Sequence, residues 1–307
     1  MNRISTALFH ERATASMLDN QSRLSKTQLQ LATGKRILTP SDDPSGATRT
    51  LDLQRYLDTN KQFLSNMDFA RARLETQETA LASVTDLLQR ANELAIQGNN
   101  VTASPSDRAA IAIEVDQLLE QMLALANTRD SNGEYLFGGL RRDATAFPSP
   151  ADGLFYGPLD GQFTYQGTAE RRSIQVSEER LIADADTGQD IFMGANADGS
   201  DSAFGVLYEL AADLRSGASL SGSIGNIKLA MDQVLDVRAR SGARLNALDD
   251  LGNVNQDLAV TLESQLSEIQ DLDYAEAVSR MNRQLLAFQA AQQSYVRLAQ
   301  LSLFNYL

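Results

Sequence analysis

The stretch from Ser45 to Gln97 restricts this chain more than any other. Leu53, Met67, Leu74, Leu81, Leu88 and Ala95 recur at heptad spacing, with Asn60 in the one missing slot. Tyr56, Phe63, Ala70, Val84 and Ala91 form the adjacent seam. A seam sustained that far predicts one helix, roughly 75 Å long at a rise of about 1.5 Å per residue. A compact globule rarely holds such a helix, whereas an elongated antiparallel helical rod does. The 307 residues suffice for two or three domains, and only 6 are proline. Aromatics make up 6% and Trp is absent, a balance that suits helices packed by Leu and Ala.

The two ends carry matching apolar patterns. Tyr274 to Leu307 contains no Gly and no Pro. Within it Val278, Met281, Leu285, Phe288 and Tyr295 share one helical stripe, which Leu286, Leu298 and Leu301 widen. The run stays apolar through Leu303, Phe304 and Leu307, although chain ends are usually polar. At the other end Ile4, Leu8, Leu18 and Leu29 lie on one stripe, and Met17, Leu24 and Leu31 lie on its neighbour. Two such ends are expected to close into one antiparallel coiled coil. The candidate contact residues are Leu8, Leu18, Leu24 and Leu31 on one helix, and Leu285, Phe288, Tyr295, Leu298, Leu301 and Phe304 on the other. From the pattern alone they suit either an intramolecular core or a surface covered by neighbouring subunits.

Residues 1–33 read as helix. Gly34 ends it, with Lys35 and Arg36 beside its carbonyl end. Ile37 to Gly46 is an irregular connector, in which Asp42, Asp43 and Pro44 offer an N-cap and a first helical position. After the long helix, Ser106 or Asp107 is expected to cap another, with Ile111, Val115, Leu118, Met122 and Leu125 as its seam. Asp130-Ser131-Asn132-Gly133 is a turn signal. Between 140 and 203 a small antiparallel β domain is expected, its strands at Phe163–Gln166 and Arg172–Val176 and its exit loop at Asn196–Asp201. Helix returns at Phe204–Leu214. A Gly/Ser linker over Ser216–Gly225 and a second long helix to about Leu272 follow, with Gly242 and Gly252 as sites of kinks or close contacts. The fold class is therefore mainly α with a small β domain. Three domains are expected: 1–40 with 268–307, 41–139 with 204–267, and 140–203.

Several chemistries are disfavoured. The net charge is −13, which opposes nucleic-acid binding and anchoring to anionic lipid. The acidic excess sits in the middle: Arg142 to Asp213 holds thirteen acidic and four basic residues. There are no cysteines, so thiol catalysis and thiolate metal sites are excluded. No cleavable signal peptide is visible, and no window approaches the ~18 apolar residues of a membrane span. His10 is the one histidine, which leaves no His-Glu-x-x-His zinc motif. Asp184-Ala185-Asp186-Thr187-Gly188 and Asp198-Gly199-Ser200-Asp201 are acidic like calcium loops but lack the full alternation and distant Glu, so turn chemistry is the better account. No catalytic residue, metal or cofactor is assigned.

Thr33-Gly34-Lys35-Arg36-Ile37 through Ser41-Asp42-Asp43-Pro44-Ser45-Gly46 resembles the N-terminal signature of the bacterial flagellin family. Leu272-Asp273-Tyr274-Ala275-Glu276-Ala277, with the Gln/Ala-rich helix after it, is similar to the C-terminal one. Pro44, Asn132 to Gly139 and the ending Leu301 to Leu307 point to the family's hook–filament junction branch over filament flagellin, and Arg240-Ser241-Gly242-Ala243-Arg244 looks like its returning helix. The resemblance implies a secreted structural subunit of the flagellum, without enzymatic activity. It implies export through the flagellar apparatus without signal cleavage, and a chaperone on the C-terminal helix beforehand. Copies of itself, the other junction protein and flagellin are the implied partners, met through the terminal stripes. A major filament flagellin and a soluble coiled-coil binding module are the alternatives.

Overall fold

A computed structural model describes residues 2–141, 163–193 and 202–304; the side chains of 1–7, 9, 10 and 298–304 lie outside the described residues. In chain order the elements are α1 (Asn2–Thr33), α2 (Pro44–Gly98), α3 (Pro105–Ala126), β1 (Ser173–Gln175), β2 (Leu181–Ala183), α4 (Gly188–Phe192), α5 (Ala203–Ser216), α6 (Ser221–Gln270) and α7 (Tyr274–Phe304). The heptad reading of α2 therefore holds, with helix over 55 residues. The class is mainly α with a small antiparallel β element, as expected. The chain divides into two compact units, residues 1–59 with 257–307 and residues 60–256.

In the second unit the α2 seam is the spine of the core. Met67 is 2% exposed, and Leu74, Leu81 and Leu88 are fully buried. Ile111, Val115 and Met122 of α3, Phe204, Leu207 and Leu210 of α5, and Ile227, Val234 and Val237 of α6 join the same buried cluster or its continuation. Each fully buried Leu contributes about 2 kcal/mol through loss of water contact. Phe192 stacks on Phe204 with centroids 5.3 Å apart and meets Phe137 edge-on at 5.5 Å.

Four local expectations are corrected. α3 is capped by Ser104, with Pro105 at its first position and Asp107 completing a reciprocal capping box; Ser106 and Asp107 are inside the helix. The cap is the residue whose side chain can reach an amide three positions on, and Pro105 needs no amide bond there. β1 pairs with β2, Ile174 opposite Ile182, and not with Phe163–Gln166. Phe163–Gln166 is not strand: Phe163 packs on Phe204, and the Tyr165 hydroxyl donates to the Phe137 carbonyl at 2.8 Å. Its alternation records Phe163 anchoring on α5 and Tyr165 on the irregular stretch after α3, which has the same period-two look as a ladder. The Gly/Ser linker shortens to 217–220, because Gly217 ends α5 at φ +74° and α6 starts at Ser221. α6 then runs unbroken past Gly242 and Gly252. A Cβ at 242 would meet nothing within 4 Å, and one at 252 only the tip of Arg71 at 3.9 Å, so neither marks a close helix approach. The expected exit loop at 196–201 lies outside the described residues.

Candidate assembly interface

In the first unit α1 packs along α7. The end of α1 meets the start of α7 through an antiparallel bridge between Lys35 and Asp271, so the pair is antiparallel. The α1 face that is covered carries Leu24, Thr27 and Gln30, buried, with Met17 and Leu31 half-buried. On α7, Ala277 is buried and Met281, Gln284, Phe288, Ala291 and Tyr295 are half-buried, at spacings of three and four.

This pairing splits the candidate contact residues into two sets. Leu24, Leu31, Phe288 and Tyr295 turn inward. Leu8, Leu18 and Leu285 remain 47%, 60% and 40% exposed. Leu29, Leu286 and Val296 are exposed on the same two helices. The side chains of Leu298, Leu301 and Phe304 lie outside the described residues. The reason for the split is that an apolar arc wider than one heptad seam cannot be covered by a single partner helix. Large apolar side chains left in water at helical spacing are a surface that another protein can cover.

The connector residues come together in a clasp. Gly34 closes α1 at φ +70°, a left-handed conformation that L side chains rarely adopt. A Cβ there would lie 2.8 Å from the Tyr274 hydroxyl. The Leu272 amide donates to the Gly34 carbonyl at 3.0 Å, and the Arg36 amide donates to the Gln270 carbonyl at 2.7 Å. Arg36 corrects an expectation. Its guanidinium serves the carbonyl end of α6, not of α1: Nε and Nη2 donate to Ile269 O at 3.1 and 2.8 Å. Orphan carbonyls at a helix end favour a cation, and α6 ends within reach where α1 turns away. Gln30 Nε2 fixes the backbone below it by donating to Arg36 O at 2.6 Å.

Asp42 and Asp43 act as structural carboxylates. Asp42 accepts from Lys26 Nζ at 2.6 Å and from the Leu38 and Thr39 amides at 3.2 Å each. The Lys26 hydrogen bond foremost, and the two amides after it, bring its pKa down to about 2 against the opposing cost of burial. Asp43 is the N-cap of α2, as expected: Oδ1 accepts from the Gly46 amide at 2.9 Å, with Pro44 at the first helical position. That amide, then Ser45, then Arg36 lower its pKa. Gly46 is required by this cap, since a Cβ would come 2.5 Å from Asp43 Oδ2 and 2.7 Å from Ile37 Cδ1. Sequence reading missed Lys26, Gln30, Ile269 and Tyr274. No local pattern marks them, because their partners lie across a turn or more than two hundred residues away.

The chain matches the model of the bacterial flagellin N-terminal helical region over residues 4–141 and that of the C-terminal helical region over 224–307. It is 30% identical to flagellar hook-associated protein 3 of Escherichia coli K12, over 99% of both chains. Its fold is that of the flagellar hook associated protein-3 of Legionella pneumophila, with a TM-score of 0.62 at 20% identity over 71% of this chain and 98% of that one. The flagellar junction protein FlgL, also from Legionella pneumophila, superposes with a TM-score of 0.54 at 20% identity, covering 64% of this chain and 98% of that one.

Proposed function

Because the chain belongs to the bacterial flagellin family, we propose that it is the structural subunit forming the junction between hook and filament. As a family member it is a structural component of the flagellum and assembles with other flagellar components. Its full-length similarity to hook-associated protein 3 supports the junction over the filament itself. We extend this to its specific neighbours: further copies of itself, the other junction protein on the hook side, and flagellin on the filament side. Export through the flagellar apparatus without signal cleavage, with a chaperone on α7, belongs to the same reading. So does the outer domain expected at 140–203.

One observation carries the mechanism. The α1/α7 pair buries one seam and leaves Leu8, Leu18, Leu29, Leu285 and Leu286 in water. A two-helix pair has little core of its own, so contacts that cover the outer leucines stabilise the pair and the lattice together. Chemistry is not needed for this role; surface is.

The test is the double variant Leu18→Asp with Leu286→Asp. Both side chains are exposed, so the monomer should keep its helix content and unfolding midpoint. Addition to hook ends, and motility of cells carrying the variant, should be lost. Normal motility with a folded variant would overturn the assignment of this surface.

A further inference from the structure

In the second unit two carboxylates of one turn, Asp184 and Asp186, are 0% and 1% exposed. The acidic pattern of this stretch suits an ordinary turn; in the fold it lies buried between α2 and α6. Asp186 receives both arms of Arg244 from α6, Nη1 to Oδ2 at 2.8 Å and Nη2 to Oδ1 at 2.9 Å. Gln77 of α2 donates to Oδ2 at 2.9 Å and accepts from the Asp186 amide at 2.8 Å. The same Gln77 amide donates to Ser241 Oγ of α6 at 2.7 Å. Arg171 Nε lies 3.4 Å from Oδ1 and shares its charge with Asp190, 2.9 Å from Nη2. Beside this group Asp184 meets Arg73 of α2 at 3.2 Å and also pairs with Arg172. Asp130 and Glu134 stand on the far side of the same arginines.

We propose that Asp186 is an acid-sensitive latch, holding the turn from β2 to α4 between α2 and α6 and releasing it when the carboxylate takes up a proton. Gln77 and Ser241 are uncharged and stay as they are. Arg244 and Arg171 are the guanidinium groups that face Asp186 among the described residues. Protonation therefore leaves the half-buried Arg244 fork, 18% exposed, without the anion it chelates, which favours opening of the turn to water. The direction follows. Against burial, which would raise it, Arg244 and Gln77 bring the Asp186 pKa below the ordinary carboxylate value, so the latch is complete above that value and weakens as pH falls from it through the lower folded value. Apolar anchors at Val176, Ile182, Ile191 and Phe192 flank the turn on both sides and keep the opening local.

Hydrogen exchange read by mass spectrometry on the full chain tests this. Three amides report directly: Asp184 to Arg172 O, Asp186 to Gln77 Oε1, and Gly188 to Phe137 O. After correction for intrinsic rates, the peptide over 183–188 should exchange several-fold faster at pH 3 than at pH 7, up to the roughly 8-fold that one carboxylate of ordinary open-state pKa can supply. Peptides of α3 and α5 should keep their protection. Asp186→Asn should exchange at pH 7 as fast as the parent does at pH 3, and should then ignore pH. Retained protection at pH 3, simultaneous loss from α3 and α5, or an Asp186→Asn turn that still opens with acid would each overturn the latch. If that variant does not fold, the pH series on the parent chain decides alone.

Discussion

Arg36 donates two hydrogen bonds to a single backbone oxygen, Ile269 O, at 3.1 and 2.8 Å. The two residues are 233 positions apart. This contact joins the exit of α1 to the end of α6, within the unit that carries the outward leucines. The site is thus positioned from both ends of the chain at once.

Replacing Arg36 by Ala should cost roughly 1–3 kcal/mol, the range for a charge-assisted hydrogen bond to a partly covered acceptor. Arg36→Lys should recover only part, since an ammonium lacks the planar fork. Thermal unfolding measures the loss. Faster exchange of the Leu272 amide, which bonds Gly34 O beside the clasp, should locate it.

Gly34→Ala should destabilise by about 1–2 kcal/mol from backbone conformation alone. The clash with the Tyr274 hydroxyl adds to this. Tyr274→Phe in the same chain removes the nearest atom and should restore part of the loss, but not the backbone share. A double-mutant cycle by chemical denaturation separates the two.

Acid should loosen the connector. The Asp42 carboxyl, held at about 2 by Lys26 and the Thr39 and Leu38 amides, has a folded pKa below its unfolded value. Its contribution is therefore present at neutral pH and fades as pH falls from about 4 toward 2. Exchange at the Leu38 and Thr39 amides, corrected for intrinsic rates, should accelerate over that window. In Asp42→Asn it should already be fast at pH 7 and should change little with acid.

Leu24 and Leu18 should separate packing from assembly. Leu24 is 9% exposed and Leu18 is 60%. Leu24→Ala should cost about 2–4 kcal/mol through lost burial and the cavity left behind. Leu18→Ala should change stability by no more than ~0.5 kcal/mol. Circular dichroism melts check the first, and the extent of assembly at fixed protein concentration checks the second.

The caps of the connector read cleanly from sequence because their chemistry is local. Asp43 reaches an amide three residues on, Pro44 has the fixed φ of a first helical turn, and Gly34 supplies the left-handed residue that stops α1. The heptads of α2 read cleanly because a core one side chain deep leaves its period in the chain. Phe163–Gln166 misled for the same reason, since Phe163 and Tyr165, two apart and both anchored inward, copy the period of a strand.

The sequence by itself determined the long helices, the cap at Asp43 and the stop at Gly34, and that both ends carry apolar stripes. Those properties depend on residues within a turn or two of one another. Tertiary structure decided which leucines face inward, which helix end Arg36 serves, which segment pairs with β1, and that Asp184 and Asp186 are buried ions instead of a solvated turn. Each of these depends on a partner far along the chain. Burial and charge pairing are properties of the space around a side chain, and that space exists only once the helices have packed.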